Sequence, residues 1–525
     1  MTKKRSILAL SIAAVFAFST LTACSGANKN AASGQTTTKS KAQDTLIYAQ
    51  GADPRGLDPA LVDDGESGKV IVNIYEGLLK YSKDSTKLEP SLAESWDTST
   101  DGLTYTFHLR KGVKFQDGTD FNAAAVKFNI DRQLAPKVTE DMTYASFVFG
   151  SVKDVQVVDD NTVKINMTSA STPFLSNLAM CLGAPIVSPK ALQDNKNNVN
   201  EHPVGTGPYS FVSWTKGQNV VLKRNDSYWG TKAVTQNVIF KFITDNSARV
   251  VALNNGEADI IDGIDATVVK QIQDSGNKIY DPQGMNINYM AYNTTKAPFN
   301  NIKVRTAISQ AINVPELVKS LYQGYAEPAT SVMPSFMPGF DASIKQAAFD
   351  QAAAKTALTA AGVKSLRIIT YTNPRPYNTA NGQALAEAVQ GYLKNAGVTA
   401  TIDAFDWTTY KQKIKAGDYD ICFYGWIGDN GDPDNFMSLM SDKDPSMNVA
   451  RFDNADYKAL IAKGLTTPTG DARNKVYTDL EKMAASNAVW LPISHAKTLV
   501  GYRSNVKDLN YHMTGVVFLS GTSKN

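Results

Sequence analysis

From Thr45 onward the chain moves between two hydrophobic rhythms, and each predicts a different kind of element. In "LTYTFHLRKGVKF", Leu103, Tyr105, Phe107 and Leu109 take every second position, the period of a half-buried strand. "DVQVVDDNTVKINM" sets two such runs around Asp159, Asp160 and Asn161, a hairpin signal. Between them, "FNAAAVKFNIDRQL" spaces its apolar residues as a helix does and offers Asn122 as N-cap. The first block is therefore α plus β with antiparallel strands. Further on, "VGTGPYSFVSWTKGQNVVLKRNDSYWG" (204–230) reads as strand, turn, strand. Its "GTG" is no dinucleotide fingerprint, because Ser210 stands where a third glycine is needed and Pro208 interrupts the helix start.

A second block begins near "NINYMAYNTT". "KVRTAISQAINVPELVKSLYQG" (303–324) is helical, with Asn313 and Pro315 as cap and first turn of a restarted helix. "LRIITYTNPRPYNTANGQALAEAVQGYLKNAGVTATIDAFDW" then gives a strand, a loop and an amphipathic helix with Leu385, Ala388, Val389, Tyr392 and Leu393 on one face. A stop at Gly397 and a second strand complete a βαβ crossover. "DYDICFYGW" supplies another strand. Ligands of open α/β sheets gather outside the carboxyl ends of strands, where "NPRPYN" and "GDNGDPDNF" both fall.

The N-terminus changes the picture of the compartment. "MTKKRSILALSIAAVFAFSTLTAC" has Lys3, Lys4 and Arg5, an apolar run to about Leu21 and small residues before Cys24, the pattern of a secretory signal over 1–23. The following segment, 24–44, lacks aromatic and large aliphatic residues and reads as a flexible tether. Losing Lys3, Lys4 and Arg5 from 53 basic residues balances the 50 acidic ones, which argues against nucleic acid as a partner. Hydrophobic content of 43% over 525 residues allows a large core. Cys181 and Cys422 sit in apolar company, "LAMCLGA" and "DICFYGW", as buried free thiols.

Catalytic patterns are missing: His108, His202, His495 and His512 are scattered, and no zinc-protease, nucleophile-elbow or P-loop spacing occurs. No cofactor or metal is expected. An EF-hand loop starting at Asp429 would need oxygen ligands at Gly431 and Pro433 and a glutamate where Met440 stands. Charge placement remains. Asp432, Pro433 and Asp434 look like turn and cap residues, whereas Asp429 directly follows Gly428 at the strand end and would need a cationic partner if buried. Arg375, between Pro374 and Pro376, is either a surface arginine or a guanidinium fork presented to a carboxylate. An acid and a base on neighbouring loops match a zwitterion.

Four long strings, "LVDDGESGKVIVNIYEGLL", "LAESWDTSTDGLTYTFHLRKGVKFQDGTDFNAAAVKF", "VGTGPYSFVSWTKG" and "PFNNIKVRTAISQAIN", resemble the extracellular solute-binding proteins of the peptide, oligopeptide and nickel class, which deliver ligands to ABC importers. "RPYN" with "GWIGDNGDPDNF" is most similar to the dipeptide-binding branch. The resemblance implies a two-lobed, periplasmic-binding-protein-like α/β fold with a hinge: lobe one at 45–285 with an extra α+β subdomain inserted at about 72–200, lobe two at 286–496, and a return to lobe one at 497–525. It implies that Asp429 pairs with a peptide α-ammonium and Arg375 with its α-carboxylate. Tyr377, Trp407 and Trp426 then line the pocket, and Gly428 lets the backbone come close. Asp63 stands where the branch carries a threonine. "LTAC" resembles a lipobox, so that a lipidated Cys24 would anchor a monomeric chain to the outer side of the cell membrane beside importer permease subunits. The same fold could instead take a cell-wall peptide, a longer oligopeptide, or a metal complex or haem; a secreted hydrolase is the reading from a different class.

Overall fold

The computed structural model describes residues 44–134 and 136–525. The signal segment, Cys24 and the tether up to residue 43 lie outside the described residues.

Local signals place most elements. Asn122 accepts a hydrogen bond from the Ala125 amide and starts the helix Ala123–Asp131. Asn313 accepts from the Glu316 amide at 3.3 Å, so the long apolar stretch breaks into the helices Ile302–Gln310 and Val314–Tyr322. The hairpin of Val152–Asp159 with Thr162–Met167 turns at Asp160 and Asn161, the Asn161 amide donating to the Asp159 carboxylate at 2.8 Å.

Three larger sheets organise the chain. A seven-stranded mixed sheet runs in the order Lys278–Tyr280, Val500–Tyr502, Ile260–Ile261, Thr45–Gln50, Asn237–Phe242, Asn219–Arg224, Tyr209–Thr215. A four-stranded antiparallel sheet contains Ala93–Thr98, Thr104–Leu109, Thr162–Met167 and Val152–Asp159 in that order. The six-stranded sheet runs Ala326–Pro328, Trp490–Ala496, Asn286–Tyr292, Ile421–Ile427, Ser365–Tyr371, Thr399–Phe405. Ser365–Tyr371 and Thr399–Phe405 pair in parallel around the helix Gly382–Asn395, and Gly397 closes the return with φ of 81°.

Each of these sheets has an apolar core. The chain passes between the seven- and six-stranded sheets twice, at 281–285 and at 497–499. The two passes are tied together. Gln283 and Lys497 form an antiparallel bridge, the Thr498 amide donates to the Pro282 carbonyl at 2.9 Å, and the Asn286 side chain bonds the backbone of Ala496 twice at 2.8 Å.

Candidate functional site

Ile421–Ile427 and Ser365–Tyr371 are adjacent parallel strands, paired at Ile368 with Ile421 and Ile369 with Cys422. Their carboxyl ends open on one edge of the sheet, so the loops carrying Arg375 and Asp429 leave from neighbouring positions.

The Arg375 loop is pinned from below. Arg375 and Asn378 exchange backbone hydrogen bonds at 3.0 and 2.8 Å. The buried Asn378 side chain donates to the Tyr371 hydroxyl and the Asn381 carbonyl, each at 3.0 Å, and accepts from the Tyr322 hydroxyl at 2.7 Å. Above this anchor the Arg375 guanidinium lies 4.0 Å from the centre of the Trp407 ring. Its Nε is buried with no acceptor, and among the described residues Arg375 is in no ion pair. Trp407 opens the helix Trp407–Ala416, whose N-cap Asp406 accepts from the Thr408 and Thr409 amides, and its ring stacks 5.6 Å from that of Tyr424. Tyr377 is buried, and among the described residues its hydroxyl has no hydrogen-bond partner. Burial raises that phenol, with the Arg375 charge acting in the opposite sense. The Tyr377 ring lies against the backbone of Gly425: a Cβ there would fall 2.2 Å from Tyr377 Cδ2. Gly425 thus makes room for the Tyr377 ring, a role that "FYGW" did not announce.

Three aspartates of the opposite loop have three different environments. Asp432 is buried and accepts both arms of the Arg473 guanidinium at 2.8 Å, so it does more than shape a turn. Asp434 accepts from the Tyr477 hydroxyl at 3.4 Å; burial and the Asp432 charge push its carboxyl up to about 7. Asp429 is half-buried and in no ion pair among the described residues. Its Oδ1 accepts from the Tyr144 hydroxyl at 3.0 Å, its Oδ2 from Asn435 Nδ2 at 3.4 Å, and its amide donates to Asn435 Oδ1 at 2.9 Å. Burial raises the Asp429 carboxyl to about 6, while the Tyr144 and Asn435 hydrogen bonds pull the other way.

Asn435 Oδ1 also accepts from Trp426 Nε1 at 2.8 Å, so one amide fixes the strand end and the loop together. A Cβ on Gly428 would come within 2.9 Å of Met285 Cγ and of the Phe436 ring, so this glycine serves close packing beneath the loop. Asp63 is exposed and ion-paired with Arg55. The side chain that meets Asp429 from outside its own sheet is Tyr144. Asn177 joins it, its Oδ1 accepting from Asn430 Nδ2 at 2.6 Å. Cys422 is buried, as its sequence context suggests, whereas Cys181 is only partly so, and burial together with the Asp429 charge pushes its thiol up to about 12. Tyr144, Asn435, Arg473 and Gly425 escaped sequence reasoning.

Among the described residues no helix is long and apolar enough to cross a membrane. No group of three or more His, Cys, Asp or Glu there is placed to hold a metal.

Residues 87–448 match the family described as bacterial extracellular solute-binding proteins, family 5 middle. The chain is 32% identical to heme-binding protein A of Haemophilus influenzae, covering 91% of this chain and 92% of that one. It is also 32% identical to the dipeptide-binding protein of Escherichia coli, covering 88% and 91%. Among solved structures it is similar to the ABC transporter-associated periplasmic binding protein DppA from Helicobacter pylori in complex with the peptide STSA. That likeness has a TM-score of 0.77 at 30% identity and covers 92% of this chain and 99% of that one. The mixed sheets described above are those of a two-lobed periplasmic binding protein, and the chain belongs to the bacterial extracellular solute-binding proteins, family 5.

Proposed function

We propose that this protein captures dipeptides or short peptides for an ABC importer by holding the α-ammonium on Asp429 and the α-carboxylate on Arg375 as two lobes close around them. One observation carries the reading. A carboxylate and a guanidinium, neither in an ion pair among the described residues, leave the carboxyl ends of adjacent parallel strands. Each is fixed by neighbours that are not charged: Tyr144 and Asn435 for Asp429, Trp407 for Arg375. The aromatic surfaces of Trp407, Tyr424 and Tyr377 suit the apolar parts of a peptide. The relatives named above for peptides support the ligand class. The one named for heme keeps haem or a metal complex as the alternative.

In this reading the lobes divide at 281–285 and 497–499, Gly428 and Trp426 support the Asp429 loop, and Asp63 stays at the rim. The chain acts as a monomer outside the cytoplasm, held at the membrane by lipid on Cys24, and hands its ligand to permease subunits.

Removing one partner of a buried charged pair costs about 3–5 kcal/mol, and about 1.4 kcal/mol is tenfold in affinity. Calorimetric titration of ligand-stripped protein with free and N-acetylated dipeptides tests the assignment. N-acetylation, and separately Asp429→Asn, should each weaken binding by about two to three orders of magnitude. Equal affinity for the free and acetylated forms would remove the ammonium site, and co-purified haem would favour the alternative.

A further inference from the structure

Asp429 rises from the six-stranded sheet, but the group on its Oδ1 comes from elsewhere. Tyr144 is the N-cap residue of the short helix Ala145–Phe149 and packs against the cores of the four- and seven-stranded sheets. The 3.0 Å bond from its hydroxyl to Asp429 joins residues 285 apart in sequence and spans the cleft. Asn430 to Asn177 at 2.6 Å is a second cleft-spanning contact beside it. On its own side of the cleft, among the described residues, Asp429 is held by Asn435 alone.

We propose that Tyr144 is the positioning residue contributed to the ammonium site by the opposite lobe, aiming and anchoring the Asp429 carboxylate as the cleft shuts. The inference rests on the reading of Asp429 given above. A carboxylate oxygen has room for more than one donor, so the phenol occupies one side of Oδ1 and leaves its other side, and the side of Oδ2 not taken by Asn435, to an ammonium. The bond forms only when the two lobes are together, so ammonium capture and closure meet at one carboxylate. It is charge-assisted, and therefore among the stronger hydrogen bonds a closing cleft can make.

The Asp429 surroundings give a readout that packing alone would not move. The ionisable groups facing it are Tyr144, Tyr81 and Cys181, each of which burial holds neutral through the physiological range. On its own loop Asp432 is held by Arg473, and burial and the Asp432 charge push the Asp434 carboxyl up to about 7. Across the cleft the Asp63 charge reaches Tyr144. Because the Tyr144 hydrogen bond lowers the proton affinity of Asp429, its loss should move the acidic limb of ligand binding to higher pH.

The test is a double-mutant cycle on dipeptide affinity with the intact protein, using wild type, Tyr144→Phe, Asp429→Asn and the pair, each measured from pH 5 to 8. Tyr144→Phe is expected to weaken binding about tenfold or more in the wild-type background and far less in the Asp429→Asn background. The acidic limb should shift upward in Tyr144→Phe alone. Equal losses in both backgrounds, or an unmoved limb, would overturn the role of Tyr144 while leaving Asp429 in place. Wild-type affinity in Asp429→Asn would instead overturn the underlying peptide reading, and this inference with it.

Discussion

Asp429 and Arg375 are held in place by neighbours that do not neutralise them. The carboxylate has a phenol and an amide, and the guanidinium has an indole face. In the proposed function such partners fix geometry while leaving the charge for the peptide, which is how a binding site is preorganised. Asp432 shows the contrast, since Arg473 satisfies it fully and it has nothing to offer a ligand. A pH dependence follows from the Asp429 carboxyl, raised by burial to about 6. An ammonium and a proton compete for the same carboxylate, so lowering the pH through about 6 favours the proton. Above about 8 a peptide α-amino group loses its own proton. Dipeptide affinity should therefore be greatest between these limits and fall on both sides, about tenfold per pH unit well below 6. Calorimetry across pH 4.5 to 9 checks this, and the acidic limb should vanish in Asp429→Asn.

At the scale of elements, the loop after Ile421–Ile427 depends on a helix far along the chain. Arg473, near the start of Asp471–Ser486, grips Asp432 and also donates to the Gly464 carbonyl at 2.8 Å. Arg473→Met should cost about 3–5 kcal/mol of stability, because it leaves the Asp432 charge buried without its partner. Adding Asp432→Asn should recover part of the loss, since no orphaned charge then remains. Chemical denaturation of both variants measures this directly. Legibility divides along the same line. Asn122, Asn313 and Gly397 announced helix ends because capping is chemistry between residues three or four apart. Arg473 carries no such signal, because its partner is 41 positions away and leaves no periodic trace.

For the molecule as a whole, sequence rhythm laid out the strands and helices of the quoted stretches but left helices such as Gln351–Ala360, Ala455–Thr466 and Asp471–Ser486 unread, and the quoted family strings supplied the assembly into two lobes. The contacts across the cleft had no such signal. Tyr144 sits in "DMTYASFVFG", which carries neither a catalytic nor a ligand-binding pattern, and only the folding of the chain brings it to Asp429, 285 positions away. Asp63, singled out by its match to a family position, is exposed and paired with Arg55. The chain crossings at 281–285 and 497–499 are bonded to each other, and in the proposed reading they form the hinge between the two lobes. The most direct test of the central claim is a crystal structure of the protein with a dipeptide bound. The ligand's ammonium should lie about 3 Å from an Asp429 oxygen and its carboxylate should accept from the Arg375 guanidinium. A dipeptide bound elsewhere, or held in the cleft with both side chains facing solvent, would contradict it.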